Sequence, residues 1–143
     1  MAFSSSSSYS ADYRAHYARL ISPYYFCTAT PASLNDWLKI DLQQITHVTK
    51  WKYQQYSVNY YETFRIDVSL DDVNYEPVKY KNGDVMVING SLAKDNAVAT
   101  QDFAYPILAR YLKIVGLSFP SSPVRVCMQF EIFGCTAPCT GKN

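Results

Sequence analysis

TFRIDVSL, residues 63–70, sets Phe64, Ile66, Val68 and Leu70 against Arg65, Asp67 and Ser69. A period of two sends alternate side chains to opposite faces of a pleated chain, so this stretch is predicted as a β-strand with its apolar set inward. WLKIDL, residues 37–42, repeats the pattern upstream, with Leu38, Ile40 and Leu42 against Trp37, Lys39 and Asp41. Downstream, ARYLKIVGL (109–117) and VCMQFEIF (126–133) are further strand-like runs. Turn-forming residues separate them: Asp71-Asp72, Asn82-Gly83-Asp84, Asn89-Gly90 and the segment 120–123. A helical spacing occurs only in residues 9–20, where Tyr9, Tyr13 and Tyr17 lie four apart with Leu20 beyond. Ser10 or Asp12 could cap one helical turn there; a structured loop with its tyrosines packed inward is the alternative. The fold class that follows is all-β, an antiparallel sandwich or barrel.

A chain of 143 residues fits one domain with a sizeable core, and 48% hydrophobic with 17% charged residues describes a globular protein. The formal net charge of +1 gives no electrostatic case for nucleic acid, which calls for a strongly basic face. No apolar run reaches the roughly 18 residues of a membrane-spanning helix. Residues 1–8 carry neither the basic nor the apolar segment of a secretory signal, so localisation rests on other features. The serine run at 4–8 is either a linker or an edge strand. Four cysteines point to one or two structural disulfides in an extracellular protein. Zinc is disfavoured because no second Cys or His pair at ligand spacing completes a four-ligand site with them.

No catalytic constellation is present. The sequence lacks G-x-S-x-G, a Gly-rich phosphate loop and H-E-x-x-H, which predicts a protein that is not an enzyme. Asp71 and Asp72 sit where carboxylates serve turn geometry. Calcium could recruit them, but EF-hand spacing is absent, so no cofactor is expected. Glu62 and Asp67 fall on opposite strand faces and form no acid/base pair. Asn89-Gly90-Ser91 matches the N-glycosylation sequon and is also a turn signal.

KWKYQQYSVNYYETF, residues 50–64, places four tyrosines with Trp51 and Phe64 around an expected chain reversal. A core is better filled by Leu, Ile or Val, since a buried phenol also needs a hydrogen-bond partner. Tyrosine suits a surface that stacks and hydrogen-bonds at once.

In order along the chain stand Ala18-Arg19-Leu20, WLKIDL followed by Val48-Thr49, ETFRIDVSLDD, PILARYLKI and the closing EIFGC. Together they resemble the discoidin domain, the coagulation factor V/VIII C-type domain, over residues 5–135. The resemblance implies a jellyroll-like β-sandwich or barrel of antiparallel strands with projecting end loops. It divides the chain into a domain at 1–135 and a tail or linker at 136–143. It also implies a non-enzymatic recognition or adhesion module that is secreted or forms the extracellular part of a larger protein. The projecting loops would be residues 9–17, 53–60 and about 89–97, with Tyr13, Arg14, His16, Tyr17, Tyr53, Gln54, Gln55, Tyr56, Asn59, Leu92 and Lys94 as ligand-binding residues. Tyr60 and Tyr61 are expected to fill places in the following strand instead.

The resemblance further pairs Cys27 with Cys127 as a disulfide. Cys135 is left to pair with Cys139, with a cysteine upstream, or with nothing. This sequence departs from the family at four places: the N-terminal cysteine that commonly pairs with the terminal Gly-Cys is missing, Gln129 replaces a usual arginine, Phe119 a common tryptophan, and DLQQ lacks the glycine that usually follows Asp-Leu. Arg110 is expected to be structural. Arg65-Ile66-Asp67 has the letters of the fucose motif of the related F-type lectins, but it lies in a strand with Ile66 inward and is rejected.

The expected partner is a cell-surface glycan or glycoprotein, bound in a lectin-like manner. A protein partner is the second possibility, since tyrosine-rich loops suit protein recognition too. Anionic phospholipid ranks lowest, because each basic residue near an anionic surface contributes only about 1 kcal/mol and the loops offer little beyond Leu92 and Lys94.

Overall fold

The structure, a computed structural model, describes residues 1–20, 22–57, 59–120 and 125–137. Most of the 120–123 turn, Cys139 and most of the tail therefore lie outside the described residues. Eight antiparallel strands are present among them: β1 (Ala2–Ser5), β2 (Phe26–Cys27), β3 (Trp37–Gln55), β4 (Thr63–Ser69), β5 (Glu76–Pro77), β6 (Ile88–Asn89), β7 (Ala99–Ser118) and β8 (Cys127–Cys135). They run in the order β2-β8-β3-β7-β4-β5, with β1 added to β3 and β6 to β4. The all-β expectation holds, and the serine run begins inside edge strand β1.

β3 and β7 are long enough to serve both halves of this curled sheet. The first half of β3 pairs with β1 and the second half of β7; its second half pairs with β8 and the first half of β7. Between the halves the β3–β7 register shifts from Asp41 to Thr46, the kind of irregularity that bends a strand. Gln43 stands in this bend at φ 69°, and its N–H donates to Asp41 Oδ1 at 2.7 Å. It occupies the place where the family's glycine is missing. A side chain in the left-handed region costs about 1–2 kcal/mol, so Gln43→Gly is expected to stabilise the fold by about 0.5–1 kcal/mol after glycine's extra unfolded-state entropy is offset. Thermal melting checks this; a lowered Tm would contradict it.

TFRIDVSL behaves as expected until its last residue. Phe64 and Ile66 are buried and Val68 packs against the core, but Leu70 is exposed. The strand stops at Ser69, whose buried hydroxyl accepts the N–H groups of Asp71 (3.2 Å) and Asp72 (3.0 Å) and donates to the Asp71 carboxylate. That carboxylate accepts the N–H groups of Asn74 and Val73, which hold its pKa well below the usual carboxylate range. These hydrogen bonds give Asp71 a turn-forming role. Arg65 and Asp67 pair with each other at 2.9 Å on the outer face, with Ile66 buried beneath. Arg110 pairs with Asp41 at 3.2 Å, a structural role.

Residues 9–20 form two 3-10 turns, Ala11–Tyr13 and Ala15–Ala18, with no side-chain cap from Ser10. The small Ala15 and Ala18 face inward there, while Tyr9 is exposed and Tyr13 and Tyr17 are half-buried.

The core lies between the halves of the sheet. Trp51 stacks on Phe130 (centroids 5.1 Å apart, planes within 1°) and on Tyr53 (5.1 Å), with Phe64 edge-on to Trp51 and Tyr53. Ile66, Leu112, Ile114 and Met128 fill the space around them.

Candidate ligand-binding end

β3 runs further than the sequence suggests. It continues to Gln55, so the reversal occupies only the residues between Gln55 and Thr63. This corrects two expected tip residues. Tyr53 is 2% exposed and stacked in the core, its hydroxyl donating to the Asn89 carbonyl at 3.3 Å. Gln55 is 1% exposed, because it serves as an internal brace. Its Nε2 donates to the carbonyls of Tyr61 (3.2 Å) and Gly90 (3.1 Å), and its Oε1 accepts the Tyr61 N–H (2.8 Å). Neither side chain is available to a ligand.

The same brace seats Tyr61 in the core between two glycines. A Cβ at Gly90 would stand 1.9 Å from the Tyr61 carbonyl oxygen, and one at Gly116 would stand 2.1 Å from its ring. Neither Tyr60 nor Tyr61 fills a place in the following strand as expected, because β4 begins only at Thr63; Tyr61 is buried ahead of it and Tyr60 is half-buried.

Gln54 is half-buried, and its Nε2 donates to Gln129 Oε1 at 2.6 Å. Gln129 in turn donates to the carbonyls of Ser22 (2.8 Å) and Tyr24 (2.7 Å). The glutamine that replaces the family's arginine thus straps the segment carrying Tyr24 to β8, and Gln54 positions it.

Among the described residues of the second loop, Tyr56 is the one that is exposed, at 44%. Its N–H donates to the Cys127 carbonyl (3.1 Å), the Cys127 N–H donates to Asn59 (2.9 Å), and Ser57 turns the chain at φ 49°. Cys127 is disulfide-bonded to Cys27. Cys135 is also disulfide-bonded. The Tyr56 ring lies 5.3 Å from that of Tyr25, whose hydroxyl bonds to Asn96 Oδ1 of the third loop. Burial first, and the neighbouring Tyr56 second, raise the Tyr25 pKa, so the phenol keeps its proton and can donate. Asn96 is held by its own N–H to the Gln55 carbonyl (2.9 Å) and by a left-handed backbone at Asp95 and Asn96.

From the first loop, Tyr17 lies edge-on to Tyr24 at 5.2 Å, and the His16 ring rests on Tyr17 at 4.1 Å. Tyr13 meets Tyr9 at 5.3 Å, and the Arg125 guanidinium lies over Tyr9 at 4.4 Å. Arg14 is exposed between the two 3-10 turns. Leu92, 62% exposed, and Lys94 stand on the third loop, linked to the ring cluster through Asn96. Asn59 is half-buried.

Among the expected residues, His16 and Tyr17 stand with Tyr24, Tyr56 stands with Tyr25, and Tyr13 pairs with Tyr9. Sequence reasoning missed Tyr9, Tyr24, Tyr25, Asn96 and Arg125. The signal for two of them was SPYYFC, where the adjacent Tyr24 and Tyr25 precede Cys27. Ring faces, phenols and amides gathered in this way offer stacking and hydrogen bonding.

The F5/8 type C domain profile matches residues 2–132. Neuropilin-1 of Homo sapiens is 28% identical over 145 residues, covering 95% of this chain; the chain spans only 15% of that relative's length. Among solved structures, discoidin II of Dictyostelium discoideum superposes with a TM-score of 0.73 at 18% identity, over 97% of this chain and 55% of that one. A chitosan-binding module 2 in complex with chitotriose, from a chitosanase/glucanase of Paenibacillus sp. IK-5, gives 0.72 at 19% identity over 93% and 95%.

Proposed function

The chain belongs to the F5/8 type C domain family, and from that premise we propose that it is a non-enzymatic extracellular recognition and adhesion module that binds cell-surface carbohydrate. The observation that carries this reading is two aromatic pairs, in which exposed Tyr24 meets half-buried Tyr17 and exposed Tyr56 meets half-buried Tyr25, the latter backed by Asn96. A pyranose ring presents C–H groups on its faces and hydroxyls at its edge. Tyrosine faces cover the first, while phenols, Asn96, Asn59, Arg14 and His16 answer the second. Fold relatives that include a chitosan-binding module with bound chitotriose support the reading. A few tyrosine rings bind a single sugar weakly, so tandem or clustered copies would supply avidity.

Anionic lipid is the weaker alternative: Leu92 is well exposed, yet Lys94 is followed directly by Asp95. An array of diverse glycans, run beside vesicles containing phosphatidylserine, tests the proposal. Selective glycan signals with silent vesicles are expected. Vesicle binding with a silent array would overturn it in favour of a membrane surface. Silence in both would overturn it in favour of a protein ligand.

A further inference from the structure

We infer that Asn89 is an N-glycosylation site, an inference that rests on the extracellular reading above. Of the asparagines in the chain, Asn89 alone is followed two positions later by Ser or Thr, with Gly90 rather than proline between. The fold keeps the acceptor accessible. Asn89 ends β6 at a sheet margin, is exposed, and opens the 3-10 turn Gly90–Ala93.

Its amide orientation is fixed by a donor. The Ser91 N–H (3.1 Å) and the Ser91 hydroxyl (2.6 Å) both donate to one side-chain atom, which must therefore be the acceptor Oδ1. Nδ2, the atom that carries an N-linked sugar, makes no hydrogen bond among the described residues. Attachment there breaks nothing in the fold: the Asn89 carbonyl still accepts from Tyr53, and Gly90 still packs on Tyr61.

The donor class is a lipid diphosphate-linked oligosaccharide. The Nδ2–C1 bond forms as the C1–O bond to diphosphate breaks. The lipid diphosphate leaves with the electron pair, and the Nδ2 proton passes to a base of the transferase.

The full chain is directed into a eukaryotic secretory lumen by an added signal sequence, and the oxidised product is analysed by peptide mass. Expected is a glycan on the peptide containing Asn89, removed by an amidase that leaves aspartate at that position. It should be lost in Asn89→Gln and Ser91→Ala and retained in Ser91→Thr. A product with the Cys27–Cys127 disulfide intact and Asn89 unmodified would overturn the inference alone. A chain that enters the lumen and never forms that disulfide would overturn the extracellular reading, and the inference with it.

Discussion

Tyr53→Ala is expected to destabilise the protein by about 3–5 kcal/mol, the range for removing a buried aromatic ring from a packed core. The ring stacks on Trp51, meets Phe64 edge-on, and is shut off from solvent at 2% exposure. Truncation would leave a cavity against the Trp51–Phe130 stack, which is braced by rings and strands that relax little. The hydroxyl is a smaller matter. Its bond to Asn89 is long at 3.3 Å, so Tyr53→Phe is expected to cost about 0.5–1.5 kcal/mol. Denaturant unfolding of both variants separates the two contributions; an alanine variant as stable as the wild type would place Tyr53 outside the core.

Removing the Cys27–Cys127 disulfide, as the alanine pair, is the second large effect. The bridge spans 100 residues of sequence. A cross-link closing a loop of that length restricts the unfolded chain enough to contribute up to about 4.7 kcal/mol in the chain-entropy model, and losses of about 2–5 kcal/mol are typical. The site adds a local consequence. Cys27 follows Tyr25 by two residues, and the backbone of Cys127 bonds to Tyr56 and Asn59. The bridge therefore ties β2, just after Tyr25, to the residue of β8 whose backbone holds the loop carrying exposed Tyr56. The alanine pair should lower the midpoint of unfolding and weaken ligand binding together. An unchanged midpoint would contradict this account.

Both effects bear on what the sequence made legible. Strand periodicity found β4 because its apolar residues alternate over a half-buried face. It failed at Leu70 because a serine hydroxyl, invisible to periodicity, ends the strand one residue early. Family resemblance supplied the Cys27–Cys127 pairing and the loop positions. It could not separate Tyr53 from Tyr56, since strand and loop tyrosines have the same side chain and differ only in where β3 stops. Gln55 misled for a related reason: an amide in a tyrosine-rich stretch resembles a polar reader, yet here it is buried to satisfy the backbone of Tyr61 and Gly90. Tyr25 and Asn96 were hidden because the contacts of Tyr25, with Tyr56 and with Asn96, join segments far apart in the chain, the second pair 71 residues apart. Gln129, a departure from the family, proved to be the strap that holds the Tyr24 segment.

The central claim is that carbohydrate binds on the exposed rings and not on the buried ones. The most direct measurement compares binding to the glycans retained on the array for three proteins: wild type, Tyr24→Ala/Tyr56→Ala and Tyr53→Phe. Stacked rings are worth about 0.5–1.5 kcal/mol each, so loss of the exposed pair should weaken binding roughly tenfold with Tm nearly unchanged. Tyr53→Phe, slightly less stable, should bind as the wild type does. Full binding by the Tyr24/Tyr56 variant, or lost binding in Tyr53→Phe, would contradict the account.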